Sequence, residues 1–197
     1  MNYIIGPSHL TEKYISLITD PNMFSNCIIE GHKGLPIWSR HILKSINEHD
    51  ILNNQIFWMV SDYKFNNFDY SHLVKSNDLF MDVIGYVGNI SRDFMEKKHL
   101  YFLAKHSLKV IDFIIQHFPK IKLIFWCLYK RTKVNKNSSY PKFAWYDSIK
   151  ERYKDNIIDF DLFTNPEEFS TFIIDESAHP NLQGLMLLDR MISSCKK

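Results

Sequence analysis

The sequence predicts a three-layer α/β/α sandwich around a central, mostly parallel sheet of five strands. Three observations lead there. Five short apolar runs, at 3–5, 27–29, 56–60, 123–128 and 157–158, are separated by stretches whose apolar residues recur at helical spacing. Parallel neighbours need long crossover connections, which those helical stretches supply. The runs at 56–60 and 123–128 are apolar throughout, as in strands covered on both faces.

Taken in order, Tyr3-Ile4-Ile5 forms the first strand, and Leu10, Tyr14, Leu17 and Ile18 mark one face of a helix ending at Asp20-Pro21. Cys27-Ile28-Ile29 is the second strand, leaving through the glycine-bearing turn Glu30-Gly31-His32-Lys33-Gly34. A helix over 38–49 carries Ile42 and Ile46 on one side. The third strand, 56–60, hands over to Ser61–Asn67, and 68–93 reads as an insertion with a short extra strand near 79–84. Leu100, Leu103, Leu108, Ile111 and Ile115 stripe a helix over 98–118 that Pro119 stops. After the fourth strand comes a basic loop at 129–141, with Lys130, Arg131, Lys133 and Lys136, predicted to be mobile and exposed. Trp145, Ile149 and Tyr153 mark a helix before the fifth strand, and helices over 166–172 and 182–192 follow. The pattern is flavodoxin-like. In such folds ligands gather at the carboxyl ends of the strands, where Ser8, Gly31 to Gly34 and Asp62 to Asn67 fall.

At 197 residues the chain fits one domain, 1–197, able to bury a core without staples. Hydrophobic residues at 45% and charged ones at 23% argue against disorder, and no apolar run approaches the ~20 residues of a membrane span. No basic leader and apolar stretch opens the chain, which gives a cytoplasmic expectation. Cys27, Cys127 and Cys195 make no metal-like or redox-like pair, and the first two fall in strands, so buried inert thiols are expected. A net charge of +2 is too mild for a nucleic-acid partner. Aromatic residues at 15% serve packing or sugar stacking equally well.

Ser8 stands on the turn from a first strand to a first helix, and Asp175-Glu176-Ser177-Ala178-His179-Pro180 lies far along the chain. A serine, an imidazole to take its proton and a carboxylate to orient that imidazole are what acyl transfer by a serine enzyme requires. Gly6-Pro7-Ser8-His9 resembles the Gly-Asp-Ser-Leu block of the SGNH, or GDSL-like, serine esterases and acyltransferases, with Pro in place of Asp. His179-Pro180-Asn181-Leu182-Gln183-Gly184 is similar to that family's His-Pro, three residues, Gly pattern. Together the two blocks span residues 6 to 184.

The resemblance implies Ser8 as nucleophile and His179 as general base. For the acid, Glu176 matches the family's spacing and Asp175 its residue type; both stay open, with a slight preference for Asp175. The oxyanion donors would be the Ser8 amide and a glycine amide, Gly34 before Gly31. An asparagine expected after the third strand is absent: the chain reads Val60-Ser61-Asp62-Tyr63, so Asn66 or Asn67 would have to substitute. His9, His32 and Asp62 are candidate substrate contacts. The His9, His32 and His179 set lacks the tight local spacing of a zinc site, so no metal is expected, and the resemblance implies no cofactor.

It implies an esterase or O-acyltransferase for acyl, above all acetyl, esters of a carbohydrate, in a step such as tailoring a bacterial surface polysaccharide. Its partners would be a small-molecule or saccharide substrate and, for transfer, an acyl donor. Two rivals stand beside it: a non-catalytic glycan- or partner-binding protein on the same fold, and a flavodoxin-like domain holding a phosphorylated ligand at Gly31 to Gly34. Plainer roles also exist. Ser8 could cap the first helix, His179 could be a surface residue before a helix-starting Pro, and Asp175 or Glu176 could be solvated charges favoured by a helix dipole. The glycines could serve the turn alone, and His99 and His106 packing. The basic loop could be a connector or an arm for an anionic substrate.

Overall fold

A computed structural model of the chain describes residues 1–32, 40–60, 111–126, 149–158, 170–175 and 179–195. Five strands, β1 (Asn2–Gly6), β2 (Cys27–Gly31), β3 (Gln55–Met59), β4 (Lys122–Ile124) and β5 (Ile157–Ile158), form one sheet in the order β2-β1-β3-β4-β5. All four pairings are parallel. β1 lies between β2 and β3, with Ile4 opposite both Ile29 and Phe57, and Gly6 opposite Gly31. The chain steps outward from β1 to β2, then crosses back to β3 and continues to β5. The reversal of direction falls at the carboxyl end of β1, the position where parallel sheets bind ligands.

Side chains alternate across each strand, so both faces of the sheet must be covered. On one face Ile4, Phe57, Met59, Ile124, Trp126 and Ile158 form a continuous core with Leu185, Leu187, Leu188 and Ile192 of a helix here called α3 (Leu182–Ser194). Leu10 and Phe24 complete that layer. The opposite face presents Tyr3, Ile5, Ile56 and Trp58, and helix α2 (Arg40–Ile51) lies against it with Ile42 and Ile46 buried. There Tyr3 stacks on His49 of α2 with ring centroids 3.5 Å apart. The result is the three-layer sandwich. No helix among the described residues is long and apolar enough to cross a membrane.

Two surface ties secure the layers. The backbone amide of Phe24 donates to Asp189 Oδ1 of α3 at 2.8 Å, holding Phe24 at a φ of 51° that bulky residues rarely adopt. Helical residues 111–117 and 149–152 are joined through Asp112, which accepts from Arg152 Nη1 at 3.0 and 3.1 Å and from the Tyr153 hydroxyl at 2.6 Å. Burial raises the Tyr153 phenol above its ordinary value, and its bond to Asp112 adds to the shift.

Several expectations change. The predicted first helix is broken into a 3-10 turn, Ser8–Leu10, and a single α turn, α1 (Glu12–Ile15). Thr11 is extended, at φ −71° and ψ 159°, and both its amide and its hydroxyl donate to the Ser8 carbonyl, at 3.2 and 2.8 Å. That carbonyl is thus satisfied within the turn, and Leu17 ends up exposed rather than on a core stripe. The fourth ladder stops at Ile124, although Phe125 and Trp126 stay buried. Cys27 is only half-buried because β2 is an edge strand, and Cys195 is exposed. The insertion at 68–93, residues 98–110 of the long helix, the loop at 129–141 and Cys127 lie outside the described residues.

Candidate active site

The site is built from the two ends of the described chain. β1 runs into Pro7, which is extended, and the chain then tightens into the 3-10 turn that begins with Ser8. This turn lies directly on the end of β2. A Cβ on Gly31 would sit 2.2 Å from the Leu10 carbonyl carbon and 2.4 Å from the Thr11 nitrogen, so only glycine lets the two backbones meet. The His32 amide donates to the Gly6 carbonyl at 3.0 Å and closes the same corner.

The second half comes from residues 172–184. Ile173 and Pro180 form an antiparallel bridge, in which the Ile174 amide donates to His179 O at 2.8 Å and the Asn181 amide to Phe172 O at 3.0 Å. Asp175 and His179 are therefore brought face to face across a short loop. Asn181 caps α3 by accepting from the Gly184 amide at 3.0 Å, while its own amide group donates to Thr171 O at 2.8 Å. Gly184 packs so tightly on this loop that a Cβ there would lie 2.3 Å from Phe172 O. The spacing of the His-Pro-x-x-x-Gly block thus has a mechanical cause: the glycine lets the first turn of α3 press on the loop that presents the histidine.

Across 171 residues of sequence, Ser8 Oγ and His179 Nε2 stand 3.1 Å apart. His179 Nδ1 lies 2.8 and 2.9 Å from the two carboxylate oxygens of Asp175, and the His179 backbone amide points at Oδ1 from 3.4 Å. An ionised carboxylate only accepts, so Nδ1 must carry the ring proton. In the neutral imidazole Nε2 is then left to accept from the Ser8 hydroxyl. The His179 side chain is 15% exposed and that of Asp175 42%. The imidazole is thus largely enclosed while its carboxylate partner remains wet.

Two more rings touch His179. Tyr14 of α1 stacks on it at 4.3 Å with an interplanar angle of 11°, and His9 meets it at 4.7 Å, tilted by 32°. Both are buried. A separate polar group sits at the carboxyl end of β2, where Glu30 Oε1 contacts His32 Nε2 and accepts from Ser45 Oγ of α2 at 3.1 Å.

The predicted residues fall out as follows. Ser8, His179 and Asp175 are brought together, and His9, expected as a substrate contact, packs on the His179 ring. Gly31 seats the turn that begins with Ser8, and His32 lies beside it in the Glu30 group. Glu176, Gly34, Asp62, Asn66 and Asn67 lie outside the described residues. Among those described, no group of three or more His, Cys, Asp and Glu residues could hold a metal. Sequence reasoning missed Tyr14 and Asn181 as parts of the site. Tyr14 carried only a helical-periodicity signal, whereas Asn181 carried a usable one, a preferred capping residue just before a helix.

No family model matches the chain, and no curated protein matches it. Solved structures to which its fold is similar include the following. One is Axe2, an acetylxylan esterase from Geobacillus stearothermophilus, at 12% identity and a TM-score of 0.46, covering 98% of this chain and 92% of that one. Another is LAE5, an alpha/beta hydrolase enzyme from the metagenome of Lake Arreo in Spain, at 13% identity and 0.45, covering 99% and 95%. The third, from Streptococcus pneumonia and named for a platelet activating factor, has 12% identity and 0.46, covering 98% and 81%.

Proposed function

We propose that the protein is a serine esterase or O-acyltransferase of the SGNH type, acting on acyl, above all acetyl, esters of a carbohydrate. One observation carries the proposal: the unbroken chain from Ser8 Oγ through both nitrogens of His179 to Asp175. A serine hydroxyl capping a helix needs no imidazole at 3.1 Å, and a surface histidine needs no carboxylate on its far nitrogen.

In this reading Ser8 Oγ attacks the ester carbonyl carbon while its proton passes to His179 Nε2. The carbonyl π electrons move onto oxygen, and the Ser8 amide is one of the donors facing the resulting oxyanion. Collapse expels the sugar oxygen, which takes the proton from Nε2 and leaves the acyl group on Ser8. Asp175 holds the Nδ1 proton throughout and stabilises the imidazolium formed in between. Water or a hydroxyl of a second substrate, deprotonated by Nε2, then attacks the acyl carbon; the bond to Ser8 Oγ breaks, and Oγ takes the proton back from Nε2. Carbohydrate as the alcohol rests on the family resemblance and on the aromatic content of the chain.

A non-catalytic binding protein is the second reading, favoured by one feature: Asp62 stands where the family has an asparagine, and an ionised carboxylate cannot donate to an oxyanion. The two are separated by turnover of p-nitrophenyl acetate by wild type and Ser8→Ala, with intact mass after treatment with a serine-directed phosphonate. The esterase reading expects turnover that is lost in the variant and one adduct on Ser8. Equal inertness of the two proteins, with Ser8 unlabelled, would leave the binding reading in its place.

A further inference from the structure

We infer that Tyr14 is a positioning residue for the imidazole of His179, an inference that rests on the reading of His179 as general base. Hydrogen bonds at Nε2 and Nδ1 fix two atoms of the ring. Both bonds tolerate tilts of about 30° from linear, so the ring can still rock on χ1 and χ2, and that rocking spreads the direction in which the Nε2 lone pair, and later its proton, is aimed. A flat surface against the ring face removes this freedom. Tyr14 supplies one, 4.3 Å away and within 11° of parallel. The His9 ring, at 32°, does not lie flat on it.

Tyr14 is suited to this role by where it sits. The single turn of α1 follows directly on the turn that begins with Ser8, so the residue that sets the imidazole plane and the residue that gives up its proton belong to one short stretch. Tyr14 is 6% exposed and held in the protein, so its orientation does not wait on substrate. Its hydroxyl stands 3.5 Å from Lys13 Nζ, and the Tyr14→Phe variant, which keeps the ring alone, separates the effect of the ring from that of the phenol oxygen. When the imidazole takes the Ser8 proton it becomes a cation against the electron-rich face of Tyr14, an arrangement favoured over the neutral pair. Among the described residues, the charged and titratable groups against the imidazole are Asp175 on its own loop, Tyr14 on α1 and His9 on the turn before it, and Lys13 Nζ lies 5.0 Å from the Tyr14 ring centroid.

The test combines kinetics with the ring protons of His179. In wild type, the carbon-bound ring protons of His179, assigned by their loss in His179→Gln, are expected upfield of those of an unstacked histidine. In Tyr14→Leu they move downfield, kcat falls about tenfold with KM unchanged, and Tyr14→Phe and Tyr14→Trp restore both readouts. If Tyr14→Leu does not fold, Tyr14→Met replaces it. A Tyr14→Leu enzyme with wild-type kcat, a Tyr14→Phe enzyme as slow as Tyr14→Leu, or His179 protons without an upfield shift in wild type would overturn the inference. Wild type inert towards both ester and phosphonate would overturn the esterase reading and this one together, whereas the other outcomes overturn this one alone.

Discussion

Gly184→Ala is a small change with a large expected effect, because the added methyl has nowhere to go. Its Cβ would lie 2.3 Å from the Phe172 carbonyl oxygen and 3.1 Å from both Pro180 Cβ and Trp126 Cη2. Ordinary carbon–oxygen contact begins near ~3.3 Å, so loop and helix must separate by roughly 1 Å. The displaced atom is backbone and already accepts from the Asn181 amide, so no side-chain rotation relieves the clash. Overpacking costs ~1–3 kcal/mol and a weakened hydrogen bond ~1 kcal/mol, against a gain of ~1 kcal/mol from better helix propensity. The net loss is about 2 kcal/mol, a fall of roughly 4–8 °C in Tm for a chain of this size. Because the loop that moves presents both Asp175 and His179, a shift of this size costs turnover by ~10²-fold. Thermal melts and p-nitrophenyl acetate kinetics on Gly184→Ala, with the exposed Met186→Ala as control, measure both effects. A Gly184→Ala protein as stable and as active as wild type would refute the idea that the glycine exists to let α3 press on the histidine loop.

Asp175→Asn should lower kcat by roughly 10³–10⁴-fold at unchanged fold, because an amide nitrogen turned towards Nδ1 favours the wrong imidazole tautomer; Glu176→Gln, measured beside it, should leave turnover within a few-fold. Asp189→Leu removes the acceptor for the Phe24 amide and should destabilise the protein by ~1–3 kcal/mol in urea titration, with Asp189→Asn recovering most of the loss. The Tyr153 phenol is raised, so the fold favours its protonated form; the stability this brings is complete below the unfolded phenol value of ~10 and is lost as pH rises through the folded value. Melting curves from pH 8 to 11 should therefore fall less steeply for Tyr153→Phe than for wild type, and parallel curves would show that the phenol contributes nothing.

The strands were legible because a strand covered on both faces must be apolar at nearly every position, as Ile56 to Met59 are. Their order followed less directly from the alternation with helices, which requires crossovers but leaves the position of β1 between β2 and β3 to be seen. The site was legible in its two ends. A serine after the first strand and a histidine before the last helix are local features, and local features survive in sequence. What brings Asp175 to His179 is not local in that sense. It depends on the bridge between Ile173 and Pro180, which carries Asp175 opposite His179 Nδ1. Tyr14 was hidden for a similar reason. Its periodicity marks it as buried but says nothing of a ring 165 positions away. Thr11 ended the predicted helix through a side-chain bond to the Ser8 carbonyl, and such a bond competes with helix geometry without altering the apolar pattern.

Under the proposed function, the 3.1 Å contact between Ser8 and His179 also makes turnover a gauge of how helix and sheet are assembled. One partner hangs from β1, between β2 and β3, and the other from a loop clamped by α3, so the pair exists only while helix and sheet are docked. Undocking of α3 would part them while the strand ladder stayed intact. In rising denaturant, loss of turnover would then precede loss of the sheet, and the interval between the two would measure the free energy with which that one helix is held.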